Sequence, residues 1–340
     1  GRERVAREVR CDPARLAAAA RSCDQIPFRT EEVRRLLDEC GIEVADLDAV
    51  AARGGPLAPV PGGTYRVNEA MLADALSDRF VDHVSRIACV IADRLARPAG
   101  VPAFVVDPVS VDEYAPPARV SGLPELPRRS LTHALNIRAC AHRLAGELGR
   151  PLAELRLVIA HLGGGVSVAA VSGGRMIDSA DANGEGPMSP ERSGGLRVDD
   201  LVDLCFSGTW TRDELKRKLT RGAGLAGHLG TADAAEVERR AESGDAAAAG
   251  VFEAMCYQVS KHVAAMGAAL EGRVDAVILT GGLARSERAV GLIGARVGFL
   301  GPLTVYPGEN EMEALRAGVE RVLSGSERPR VYPGGEEESQ

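Results

Sequence analysis

The chain has 340 residues, 45% hydrophobic and 26% charged, which is a globular composition with length enough for two domains. Its 41 basic and 48 acidic residues leave a formal net charge of −7, and aromatics are only 4%, so neither a general nucleic-acid surface nor a stacking platform for single strands is expected. Seven scattered cysteines (Cys11, Cys23, Cys40, Cys89, Cys140, Cys205, Cys256) form no CxxC pair, no apolar run reaches the ~20 residues of a membrane span, and no signal peptide is visible; buried thiols, no membrane partner and a cytoplasmic location follow as expectations.

In chain order, Thr30 with Glu31 and Glu32 opens a predicted helix that Gly41 closes. Leu47–Ala52 reads as a strand running into Arg53-Gly54-Gly55 and a proline-rich loop, helices are predicted over Asn68–Ser77 and His83–Arg97, and Val101–Asp107 is a buried-strand pattern. A proline-rich loop leads to a helix over Thr132–Leu148, and Gly149-Arg150-Pro151 reads as a linker. Beyond it, Leu155–Ala160, Val166–Val171 and Arg175–Ile177 form a meander of short strands whose corners are His161–Gly165 and Ser172–Gly174. Thr211–Glu214 is a capping box, Asp245–Leu270 a long Ala-rich helix, and Arg273–Thr280 a buried strand broken at Gly281-Gly282. A strand near Leu303–Tyr306 and a helix to about Leu323 complete the pattern, and the acidic Glu336–Gln340 is expected to be disordered.

Several residues carry chemical possibilities. Gly163-Gly164-Gly165 between two strands lets backbone N–H groups approach an anion, although a plain hairpin turn uses the same residues. With only three lysines (Lys216, Lys218, Lys261) and none after a glycine, a P-loop is excluded. Gly281-Gly282-Leu283 at a strand end permits a nucleotide to come close. Arg192, in a glycine- and proline-rich loop, and Arg53, before Gly54-Gly55, suit phosphoryl or carboxylate oxygens; an ion pair is the alternative for each, with Glu185 or Glu191 in the case of Arg192. His133 and His161 are candidate donors to phosphoryl charge or ordinary structural histidines. Asp107 either faces a cleft or caps a turn, and Glu311 either serves Mg²⁺ or simply favours a helix start.

Taken together, Ile159–Ala180, Gly184–Gly195, Ala276–Ala284 and Val305–Gly318, with Ala52–Leu72 and Ser121–Asn136 upstream, resemble the acetate/butyrate kinase family in order, from about Gln25 to Leu323. The resemblance implies an α/β, two-domain actin-like (ribonuclease H-like) fold with a cleft between domains, divided as 1–150, 151–310, a final helix 311–324 returning to the first domain, and a flexible tail 325–340. It implies ATP and Mg²⁺, a small carboxylic acid as partner, phosphorylation of butanoate to butanoyl phosphate, and a homodimer or higher homo-oligomer. By the same resemblance Arg53 and Arg192 hold the acid carboxylate and the phosphoryl group, His133 and Asp107 stand beside them, His161, Gly163, Gly164, Gly165, Gly281, Gly282 and Leu283 bind nucleotide, and Glu311 associates with magnesium. Acetate, propionate or a branched acid is the alternative substrate.

Two departures accompany it. The family's opening strand–loop–strand with its phosphate-binding Asn-x-Gly-Ser-x-Ser-x-Lys has no counterpart before Arg29, so an absent N-terminal β-hairpin, and with it an inactive truncated form, is a further expectation. Thr132 stands where relatives tend to carry Phe, and Ser85-Arg86 adds a positive charge after His83.

Overall fold

The computed structural model describes residues 3–181 and 183–334. The acidic run Glu336–Gln340 lies outside the described residues. The described strands are β1 (Val50–Ala52), β2 (Thr64–Arg66), β3 (Ala103–Val106), β4 (Arg156–Leu162), β5 (Val166–Ser172), β6 (Arg175–Asp181), β7 (Ala276–Gly281), β8 (Leu303–Pro307) and β9 (Arg330–Val331). No described helix is long and apolar enough to cross a membrane.

The chain divides into two compact units, one made of residues up to Val111 together with those from Glu311 onward, the other of Asp112–Asn310. The break falls after Val111 and not at the expected Arg150, because the helix Ala134–Leu148 packs on β4 and β7 and so belongs with their sheet.

In the first unit the sheet order is β1-β3-β2-β9, with β1 and β3 parallel, β2 antiparallel to β3, and β9 parallel to β2. The helix Ala88–Ala96 covers β1 and β3, and the helix Ile26–Glu39 packs outside it. That outer helix starts four residues before Thr30: Pro27 sits in its first turn, where a fixed φ and a missing N–H are tolerated, and the Thr30 hydroxyl donates to the Ile26 carbonyl at 2.7 Å. Arg86, the added positive charge after His83, is 1% exposed, its guanidinium donating to the Phe80 carbonyl at 2.9 Å. The helix Glu311–Leu323 lies on β1, β2 and β3. Of the stretch 325–340, expected as a flexible tail, the described residues 325–334 contribute β9 and a buried Tyr332. The phenol of Tyr332 donates to Asp74 Oδ2 at 2.8 Å and accepts from the Ala58 N–H at 2.9 Å.

In the Asp112–Asn310 unit the order is β6-β5-β4-β7-β8, the first three an antiparallel meander and β4, β7 and β8 parallel. Successive side chains of a strand leave opposite faces. Val158, Ala160 and Leu162 of β4 and Val166, Val168 and Ala170 of β5 join Phe252, Met255, Val259 and Val263 of the helix Ala246–Ala269 in one core. Leu157, Ile159 and His161 therefore face the other way, toward the helix Ala134–Leu148, as does Ser167. Asp245 caps the long helix through the Ala248 N–H, and Thr211 with Glu214 forms the predicted capping box.

Candidate active site

The strand β4 runs two residues further than the sequence pattern indicated, so His161 and Leu162 are strand residues and only Gly163–Gly165 make the turn. That extension decides what His161 meets. On the face of β4 turned to the helix Ala134–Leu148, His161 Nδ1 lies 2.9 Å from Asn136 Oδ1, and Asn136 Nδ2 donates to the Glu309 carbonyl at 2.8 Å. With its amide nitrogen so engaged, Asn136 presents an acceptor, and His161 carries its proton on Nδ1. His133, at the start of the same helix, stacks on His161 with ring centroids 3.9 Å apart, and its Nδ1 lies 2.9 Å from the Ser167 hydroxyl. Asn136 and Ser167 were not among the sequence candidates. The i, i+3 spacing of His133 and Asn136 at a helix start and the i+6 placement of Ser167 across the hairpin were the available signals.

The glycine turn is clasped from outside by the segment that carries Arg192. Ser189 Oγ donates to the Gly164 carbonyl at 2.7 Å, the Glu191 N–H donates to the same carbonyl at 3.3 Å, and the Arg192 N–H donates to Ser189 Oγ at 3.1 Å. The guanidinium of Arg192 consequently lies against Gly165, where a Cβ would stand 2.7 Å from its Cζ and Nη1. Glycine is required there by close approach. The alternative of an ion pair with Glu185 does not occur, since Glu185 is held by Arg128, whose Nη2 is 2.6 Å away and whose own pKa the pairing raises. Among the described residues Arg192 has no ion pair, and its Nε is buried without a hydrogen-bond partner.

At the end of β7, Gly281 has φ +91, a region closed to most L-residues, and a Cβ there would meet the Leu162 carbonyl oxygen at 2.5 Å. Gly282 and Leu283 follow in a short 3₁₀ turn. A cavity of about 440 Å³ is lined by Gly163, Gly164, Pro190, Asp233, Glu238, Gly282, Leu283, Arg285 and Ser286 among others, a volume in the range of small-ligand sites. The glycine turn and the Gly282-Leu283 turn thus share one cavity.

The remaining candidates sit in the first unit. Arg53, just past β1, pairs through Nη1 with Glu311 Oε1 at 3.0 Å. Asp107, the residue after β3, is buried and takes φ +38; its Oδ1 accepts from the Gly63 N–H at 2.7 Å and its own N–H donates to the Gly63 carbonyl at 3.0 Å. Among the described residues no group of three or more His, Cys, Asp or Glu gathers as a metal cage.

A model of the acetokinase family matches residues 114–329. The chain is 49% identical over 309 residues to "Probable butyrate kinase 2" of Caldanaerobacter subterraneus subsp. tengcongensis, covering 91% of this chain and 87% of that one. It is 44% identical over 332 residues to "Butyrate kinase 2" of Clostridium acetobutylicum, covering 97% and 93%. Among solved structures it is similar to the acetate kinase of Entamoeba histolytica (TM-score 0.73, 14% identity, 88% of this chain and 84% of that chain). It is also similar to the acetate kinase of Porphyromonas gingivalis (TM-score 0.70, 19% identity, 81% and 78%). At such identities the likeness shows the fold, an α/β fold shared with these acetate kinases.

Proposed function

The chain belongs to the acetokinase family, and we propose that it phosphorylates butanoate with ATP, giving butanoyl phosphate and ADP. One observation supports this most: the triple-glycine turn, clasped by the Ser189–Arg192 segment, opens into the same cavity as the Gly282-Leu283 turn. The Gly163 N–H closes the turn on the Gly165 carbonyl, so the Gly164 and Gly165 N–H groups and the guanidinium of Arg192, which has no ion pair among the described residues, suit the phosphate chain, and Gly282 and Leu283 suit the nucleoside.

An acid carboxylate is already a nucleophile, so the protein's task is alignment and neutralisation of phosphoryl charge, not deprotonation. His161, its Nδ1 proton fixed on Asn136, turns Nε2 toward the glycine turn, where a Cβ on Gly163 would come within 2.9 Å of it. His133, stacked on it and held at Ser167, is assigned to steady the transferring group. Arg53 is assigned to the acid carboxylate, with Asp107 fixing the backbone at the end of β3 through Gly63. Glu311 would hold Mg²⁺, which when bound offsets charge on the phosphate oxygens. A homodimer or higher homo-oligomer belongs to the same reading. The stripe Val198, Val202 and Phe206, exposed along one side of its helix at a spacing of four, supports it.

The test is trapping of acyl phosphate as hydroxamate with ATP and straight acids of two to six carbons. A maximum at four carbons is expected. A maximum at two carbons would remove butanoate, and no acyl phosphate from any acid would remove the kinase.

A further inference from the structure

The segment after the helix Glu311–Leu323 does more than close a sheet edge. Gly63 and Asp107 are joined across β2 and β3, so the next N–H along β2, that of Thr64, points away from β3. β9 cannot serve it, because its register begins opposite Tyr65. Glu327 does: its Oε1 accepts from the Thr64 N–H at 3.0 Å and its Oε2 from Arg321 Nε at 2.8 Å, while its own N–H donates to the Arg321 carbonyl at 2.9 Å. The carboxylate is therefore anchored to the end of the helix before it reaches the strand. Gly63, the residue before Thr64, gives its N–H to the Asp107 side chain and its carbonyl to the Asp107 N–H. Beyond Asp107, Pro108 and Val105 pack on Gly54, where a Cβ would stand 2.8 Å from Val105 Cγ1, and Gly54 directly follows Arg53. A continuous line of contacts thus runs from Glu327 through Gly63 and Asp107 to the turn that carries Arg53.

We propose that Glu327 is a positioning residue for the acid: by fixing the backbone at Thr64 and Gly63 it holds Asp107, and through the Asp107-Pro108 turn it sets the place of Arg53. This rests on the reading of Arg53 given above, as the residue that meets the acid carboxylate. A reacting group is held in place by the shell that supports it, and a loose shell costs binding and rate. A carboxylate suits this post because its two oxygens accept from two donors at once, here a backbone N–H and a guanidinium. An amide would keep the bond to Thr64 through its oxygen and oppose Arg321 with its nitrogen. Every residue in the line belongs to the unit of Gly1–Val111 and Glu311–Gln340, whereas the glycine turns Gly163–Gly165 and Gly281–Leu283 belong to the other. The effect of Glu327 is accordingly on the acid and not on the nucleotide.

The experiment takes the whole chain as wild type, Glu327→Ala and Glu327→Gln, and measures KM for butanoate, KM for ATP, and amide hydrogen exchange over residues 61–66. Glu327→Ala is expected to raise KM for butanoate about tenfold, to leave KM for ATP within about twofold, and to quicken exchange at Gly63 and Thr64 about tenfold. Glu327→Gln, which keeps the Thr64 bond, is expected to stay within about threefold of wild type in KM for butanoate. A butanoate KM that Glu327→Ala leaves within about twofold overturns the assignment, and so does an equal rise in both KM values, which would make Glu327 a residue of general stability. If Glu327→Ala does not fold, Arg321→Met decides: it frees Oε2, and a butanoate KM and an exchange rate both equal to those of wild type overturn the assignment. If wild type forms no acyl phosphate, the kinase reading falls and the exchange alone judges Glu327: quickened exchange at Gly63 keeps its hold on the Asp107 turn, and unchanged exchange removes that too.

Discussion

The imidazoles of His133 and His161 lie face to face, centroids 3.9 Å apart and planes 15° from parallel, each anchored through Nδ1 to a different partner. The anchor of His161 is Asn136, which also ties the Glu309 carbonyl to the helix. Asn136→Leu removes both bonds while keeping a side chain of similar volume. It is expected to lower kcat about 10–100-fold, because a ring that loses its orienting partner loses its tautomer. A kcat within twofold of wild type would show that Asn136 does not set the ring.

Gly165→Ala tests the contact with Arg192. The added methyl must displace the guanidinium, and loss of one preorganised donor costs about 10²–10³ in kcat. Thermal unfolding should hardly change, since the contact is with a side chain and not with backbone. A fall in Tm of many degrees with proportionate loss of activity would make Gly165 a folding residue only.

Asp107 occupies a left-handed backbone conformation that Asn tolerates and Ala does not. Asp107→Ala is expected to cost about 1–3 kcal/mol, combining backbone strain with an unpaired Gly63 N–H. Asp107→Asn should stay near wild-type stability, so any activity it loses reports the charge. Urea denaturation of both variants separates the two effects.

Asp275 joins the start of β4 to the start of β7. Its Oδ2 accepts from the Arg156 N–H and its Oδ1 from Arg150, each at 2.8 Å, and these hydrogen bonds hold its carboxyl below the ordinary 3.8. A lowered carboxyl contributes stability that is complete above the unfolded value and is lost as pH falls through the folded one. Asp275→Asn should therefore unfold about 0.5–1 kcal/mol more easily at neutral pH, with Arg150 partly in solvent. That gap should close only below about pH 4. Melts at pH 7, 5 and 3.5 check it, and a gap independent of pH would assign the bond to the neutral amide geometry alone.

Features set by neighbours in sequence were legible before any coordinates. Asn68, Thr211 and Asp245 announce helix starts because a capping side chain reaches N–H groups only two or three residues on. The glycine turns announced themselves for the same reason. What depended on distant partners was not legible. β2 and β9 are two or three residues long, and β9 is a strand only because β2 lies alongside it, some 260 residues earlier in the chain. Thr30 imitated an N-cap, yet Pro27 already supplied a first turn upstream. His161 looked like part of a turn because glycines follow it; pairing with Ser167 on one side and Thr280 on the other keeps it in the sheet. Glu238 and Ser286 carried no motif at all, and only the fold brings them to one cavity.

The order in which the chain emerges during synthesis gives the Val111 and Glu311 crossings a temporal meaning. The Asp112–Asn310 unit is contiguous and holds all five strands of its sheet, so it is able to finish folding while translation continues. The other unit must wait: its covering helix and the strand bearing Arg330 arrive two hundred or more residues after Val111, and until then β2 keeps an open edge.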